Sequence, residues 1–221
     1  MSNSHSNTRA IPNPPNVDAS APATVADAIG ARRRALDRAL ARLQDEAATV
    51  AALAARIVAA LRGGGRVLVA GNGGSAAMAQ HFAAELMGRF KRERPPFAVL
   101  ALTADTALLT AVANDYGYGD VFARQVRGLG QPGDVFLAFS TSGESENLIS
   151  AANAAHARGM AVLAVTGERE SRLARASDVT LRAPAADTAL IQELHLIVTH
   201  LVCGAVEGAL TAPDATEGEP R

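Results

Sequence analysis

The chain has 221 residues, enough for one good-sized domain, and 48% of them are hydrophobic, so a full core can be buried. Aromatics make up only 4% and Trp is absent, which calls for an aliphatic, Ala-rich core of the kind that packs helices closely on a sheet. A formal net charge of −1 leaves no electrostatic footprint for nucleic acid, and a single cysteine, Cys203, excludes an intrachain disulfide and a thiolate-only metal site.

Residues 1–22 are dominated by Asn, Pro, Ser and Ala, which predicts a disordered extension that buries too little to offset chain entropy. No basic segment followed by an apolar one reads as a signal peptide, and no stretch reads as a membrane span, so the cytoplasm is the expected location. One domain is expected over 23–210, with a flexible polar tail over 211–221. From 24 to 61 the spacing of Ala, Leu, Ile and Val is helical, as one long helix or two.

Gly63-Gly64-Gly65 ends that region, and an apolar strand follows at 66–70. Helix is predicted from the next glycine-rich loop through Phe90, before Pro95-Pro96. The pattern repeats as strand 97–102, helices over 106–128, strand 134–139, helix 145–158, strand 161–166, a short helix near 170–176 and strand 178–182. A last helix spans 188–210, with Cys203 as an inert core residue inside its apolar run. Short apolar strands alternating with helices imply an α/β fold with a doubly wound parallel sheet flanked by helices, preceded by N-terminal helices.

Two strand-to-helix junctions carry unusual chemistry. They are Gly71-Asn72-Gly73-Gly74-Ser75 and Ser140-Thr141-Ser142-Gly143-Glu144-Ser145. Both fall where such a sheet binds ligands, at the carboxyl ends of strands. Glycines let the backbone approach an oxyanion, and the following helix offers free N–H groups at its positive end. In the second loop four hydroxyls within six residues exceed what a helix cap requires. A tight turn with a helix cap is the lesser, alternative reading of the first loop. That loop also fits a dinucleotide pattern through Gly71, Gly73 and Ala76, but the acidic residue this needs would be Glu93 or Asp105, and neither has the right spacing and setting.

Polar residues inside apolar helices form the second signal. His81 and Glu85 are four apart, so both point the same way and could reach one metal ion or one substrate, although such pairs are usually solvated. Gln192, His195 and His200 lie on the strongly apolar last helix. Gln192 and His200 are about two turns apart with roughly 80° between them, whereas His195 points away from His200. Buried polar groups need partners; for His200 alone, a satisfied core histidine is the simpler reading.

Taken in order, Ala70–Ala77, Ala79-Gln-His-Phe-Ala-Ala-Glu85, Ala113-Asn-Asp-Tyr-Gly-Tyr118, Ser140-Thr-Ser-Gly143 and Ile191-Gln-Glu193 resemble the sugar isomerase (SIS) domain family, in its phosphoheptose isomerase branch. The resemblance runs from about Leu61 to Glu207. It implies a flavodoxin-like three-layer sandwich and a homotetramer with sites at subunit interfaces. It also implies an aldose–ketose isomerase that converts sedoheptulose 7-phosphate to D-glycero-D-manno-heptose 7-phosphate, the first step of bacterial heptose biosynthesis.

Carried over by position, the resemblance makes Ser140, Thr141, Ser142 and Ser145 the phosphate loop and Asn72, Gly73, Gly74 and Ser75 the sugar loop. Asn114, Asp115, Glu85 and Gln192 are further substrate contacts. Glu85 and His200 match the acid–base pair, and His81, Glu85, Gln192 and His200 match the ligands of a divalent metal, zinc. Three positions depart from the pattern: Met78 stands where Asp is common, Glu168-Arg169-Glu170 replaces Gly-Gly, and Leu190 replaces a basic residue. A second branch of the family binds the bacterial replication initiator without catalysis. It shares the surroundings of His81 and of Arg92–Pro96 but typically lacks the acid–base pair and tends to carry Arg at the position of Ser142.

Overall fold

The structure, a computed structural model, describes residues 24–212. The extension expected at 1–22 and nearly all of the tail expected at 211–221 lie outside the described residues. Five parallel strands form one sheet in the order β2-β1-β3-β4-β5: β1 Val67–Gly71, β2 Val99–Ala101, β3 Val135–Ser140, β4 Ala161–Gly167 and β5 Val179–Ala183. The strands are short apolar runs because both faces are covered. Alternation sorts their side chains. Val67, Val69, Leu137, Phe139, Leu163 and Val165 face one layer, while Leu68, Ala70, Phe136, Ala138, Val162 and Ala164 face the other.

The first layer holds α1 Val25–Leu43, α2 Ala47–Arg62, α3 Gly74–Met87 and α8 Thr188–Thr211. The second holds α4 Thr106–Tyr116, α5 Ala123–Leu129, α6 Glu146–Ala157 and α7 Arg172–Arg175. The region 24–61 is two helices joined by a 3-10 turn at Gln44–Glu46. The α1 helix starts on Thr24, whose hydroxyl accepts from Asp27 N at 3.1 Å. Between 106 and 128 the expected helices are separated by a 3-10 turn at Tyr118–Asp120, where Gly117 takes a positive φ of 90°.

Two expectations need correction. The helix expected through Phe90 ends at Met87. The N–H groups of Phe90, Lys91 and Arg92 donate instead to the Glu207 carboxylate at 3.2, 3.0 and 3.1 Å, so they cannot continue a helical ladder. The α8 helix is long and apolar enough by length and composition to cross a bilayer, contrary to the reading of the sequence. Half of its most apolar window is buried against the rest of the chain, chiefly α2 and α3, as in a core helix.

His195 is the core histidine of α8. Its Nε2 donates to the Thr166 carbonyl on β4 at 3.1 Å, and it is 1% exposed. Burial pushes its pKa down to about 4, opposed only in part by that hydrogen bond. The folded chain therefore holds it neutral, while the unfolded chain takes up a proton near 6.5. Stability from this residue is complete above 6.5 and falls as pH drops toward 4, by about 3 kcal/mol in total. Urea unfolding followed across that range should show the fall, and His195→Gln should flatten it. Cys203 is buried as expected, and burial pushes its thiol up to about 12, with the Glu85 charge adding to the effect.

Candidate active site

Strands β1 and β3 are neighbours, but the chain leaves them in opposite directions across the sheet, toward β2 and β4. That reversal opens a crevice at their carboxyl ends, the place where doubly wound sheets bind ligands. Both loops singled out above lie there. Gly71 pairs with Phe139, so Asn72–Ser75 and Ser140–Ser145 flank the crevice. Neither α3 nor α6 receives a side-chain cap, which leaves the Ser145 hydroxyl free of that role. Within the second loop, Ser140 Oγ accepts from Gly143 N at 3.0 Å and Ser142 Oγ from Glu144 N at 3.2 Å. Gly143 has φ of +67°, and a Cβ there would also run into Ser171, so only glycine fits. A cleft of about 350 Å³ lies beside this loop, lined by Thr141, Ser142, Gly167, Arg169 and Ile191 among others.

Asn72 does more than the sequence suggests. It exchanges two hydrogen bonds of 2.9 Å with Asn147 on the first turn of α6, and its Oδ1 also accepts from the Tyr118 hydroxyl at 3.1 Å. Asn147 escaped the sequence reading because one amide in a helical pattern carries no signal of its own. Asn114 and Asp115 are exposed at the end of α4, where Asn114 Nδ2 donates to Asp115 Oδ1 at 2.8 Å. Asp105 caps α4 by accepting from Leu108 N at 2.9 Å, a structural task that leaves the dinucleotide pattern without its acidic partner there.

The second cluster is built by α3 and α8, which run side by side in the same direction. Gln192 lies against Gly74, where an added Cβ would sit 2.5 Å from its Nε2; farther along, His81 faces His200, and Phe90 meets Gly204. His81 Nε2 is 2.9 Å from His200 Nε2 and 3.3 Å from Glu85 Oε1. The donor atoms of His81, Glu85 and His200 all lie within 4.8 Å of one another, and the three residues are half-buried. Two imidazole nitrogens aimed at each other beside a carboxylate make a donor set suited to a divalent cation such as zinc. Phe90 stacks on the His200 ring with centroids 5.6 Å apart and an interplanar angle of 29°.

The structure therefore brings His81, Glu85 and His200 together and seats Gln192 at the first loop. Gly74 and His81 are seven residues apart on α3, about 10 Å of rise. At the departures from the family pattern, Met78 and Leu190 pack into the apolar core. In the Glu168–Glu170 segment, Glu168 pairs with Arg42 at 3.2 Å, while Glu170 pairs with Arg182 and with Arg175.

The family described as SIS domain matches residues 33–167. A phosphoheptose isomerase of Streptomyces coelicolor is 55% identical over 155 residues, 70% of this chain and 67% of that protein. One of Thiobacillus denitrificans is 55% identical over 157 residues, 70% of this chain and 80% of that protein. Among solved structures, a phosphoheptose isomerase from Francisella tularensis is 39% identical with a TM-score of 0.80, covering 83% of this chain and 98% of its own. Another, from Neisseria gonorrhoeae, is 40% identical with a TM-score of 0.79, covering 84% of this chain and all of its own. Matched by the SIS domain family over more than half of its length, and more than half identical to two phosphoheptose isomerases across most of both chains, the chain belongs to the SIS domain family and, within it, to the phosphoheptose isomerases.

Proposed function

We propose that this chain is an aldose–ketose isomerase that converts sedoheptulose 7-phosphate to D-glycero-D-manno-heptose 7-phosphate, a cytoplasmic step of bacterial heptose biosynthesis. The observation that carries the reading is the convergence of His81, Glu85 and His200 in a chain of this family. The reaction moves a proton from C1 to C2 through an enediol and shuttles a second proton between the two oxygens. It needs a base over the carbons and an acid–base partner at the oxygens. Glu85 takes the carbon proton and returns it to the neighbouring carbon; His200 moves the oxygen proton. Ser140, Thr141, Ser142 and Ser145 hold the phosphate with neutral hydroxyls, Asn72, Gly73, Gly74 and Ser75 hold the sugar, and Asn114, Asp115 and Gln192 complete the contacts. Incubation with sedoheptulose 7-phosphate, followed by NMR, should show the heptose phosphate; its absence overturns the reading.

His81, Glu85 and His200 would hold zinc; Gln192, the fourth ligand that the resemblance implies, is seated against Gly74, about two turns of α3 before His81, and would have to swing toward the cluster to join them. When bound, the ion supplies Lewis-acid stabilisation of charge on the substrate oxygens. Metal analysis of gently purified protein should find zinc approaching one ion per chain. Full activity after complete chelation would remove the metal from the reaction.

Assembly follows from distance. Glu85 lies ten residues beyond Ser75 on α3, about 15 Å of rise, so either another loop supplies the phosphate contact nearer Glu85 or a neighbouring chain brings its own residues to the ligand. A homotetramer whose sites draw residues from more than one chain resolves this. The apolar groove along α1, α2 and α8, lined by Leu40, Val50, Ile197 and Leu201, supports it, since such surface is rarely left to water. Light scattering that detects an active monomer at assay concentration would sink the tetramer.

A further inference from the structure

We propose that Asn147 and Tyr118 are positioning residues that lock the Asn72 amide so that it offers the sugar a hydrogen-bond donor and nothing else. This inference rests on the reading of the crevice as a phosphosugar site. Asn147 is 3% exposed, and its two amide bonds with Asn72 join residues 75 positions apart in sequence. They clasp the loop after β1 to the helix after β3, directly across the crevice, and so set the separation of the sugar loop from the phosphate loop. Tyr118 adds its hydroxyl from the 3-10 turn after α4.

A count of donors and acceptors gives the chemical consequence. An amide oxygen has two lone pairs and an amide nitrogen two N–H groups. Both lone pairs of Asn72 Oδ1 are engaged, by Asn147 Nδ2 and by the Tyr118 hydroxyl. One of its N–H groups goes to Asn147 Oδ1. A single N–H remains, so half-buried Asn72 can meet only an acceptor, a hydroxyl or carbonyl oxygen of the ligand. Loss of Asn147 lets the amide turn over and present its oxygen in place of the N–H, and loss of the Tyr118 hydroxyl frees one Oδ1 lone pair, so that the amide offers an acceptor beside its donor.

Tyr118 is 59% exposed, so Tyr118→Phe removes the hydroxyl without disturbing the core. Steady-state kinetics with sedoheptulose 7-phosphate should show KM raised about three- to tenfold for Tyr118→Phe and for Asn147→Leu, with kcat within about twofold, the effect of one misplaced neutral hydrogen bond. Asn72→Asp, which replaces the donor with a carboxylate oxygen, should raise KM more than Asn72→Ala. In the Asn72→Ala background, Tyr118→Phe should have no further effect, because both act through one amide. Unchanged KM in Tyr118→Phe, or an undiminished effect of it in the Asn72→Ala background, overturns the inference while an active wild type keeps the isomerase reading intact. A wild type that turns over no phosphosugar overturns both.

Discussion

Glu85→Gln and His200→Gln are each expected to lower kcat by about 10²-fold or more, the scale of a lost general acid or base. Gln keeps the shape of Glu85 and fills much of the His200 site, and both residues are half-buried, so circular dichroism should report a folded protein. His81 Nε2 touches both partners, at 2.9 Å from His200 and 3.3 Å from Glu85, so each substitution also changes the surroundings of the other two. The double variant should therefore lose far less than the product of the single losses, since the groups act as a unit. Near-normal turnover in either single variant removes that residue from the mechanism.

The largest effect on stability is expected at Glu207. Its side chain and that of Arg94 are 3% and 2% exposed and pair at 3.2 Å. Glu207 also accepts from the N–H groups of Phe90, Lys91 and Arg92, while Arg94 donates to the carbonyls of Glu85, Leu86, Gly88 and Pro95 and covers the Phe97 ring at 4.0 Å. One ion pair thus holds the whole segment between α3 and β2 against α8. Glu207→Ala leaves a buried guanidinium without its counter-ion and three N–H groups without acceptors, a loss of about 3–5 kcal/mol. Total stability of a domain is about 5–15 kcal/mol, so a large fall in the urea midpoint is expected.

The same clamp predicts a pH effect. Burial disfavours the Glu207 carboxylate, but the backbone donors and Arg94 outweigh it, and the carboxyl sits below its ordinary 4.5. Its contribution is complete above 4.5 and is lost as the pH falls through the lower folded value. The loss due to His195 begins higher, at 6.5, so the two are separable in one titration. Because Phe90 stacks on His200, Glu207→Ala should also lower activity where the protein remains folded. An unfolding midpoint equal to that of the wild type would show that the clamp contributes nothing.

Much of this protein is legible along the chain. The strands announce themselves because a parallel sheet covered on both faces needs continuous apolar runs, such as Val135–Phe139. The crevice loops show because glycines and hydroxyls gather at two strand ends, and His81 and Glu85 because a helix brings positions four apart onto one face. Distant partners are not legible. Glu207 and Arg94 look like ordinary surface charges in sequence, yet their pairing across 113 positions buries both and ends α3 early. No periodicity says which histidine of α8 is core: His195 turns to the Thr166 carbonyl while His200 turns to His81, and only the parallel register of α3 and α8 decides it. Asn147 gains its role from a reversal in strand order that lays it beside Asn72. Local sequence determines which elements form, through spacing and burial pattern; tertiary structure decides which polar groups meet, since hydrogen bonds and ion pairs act over only a few ångströms and the chain must fold back to bring them that close.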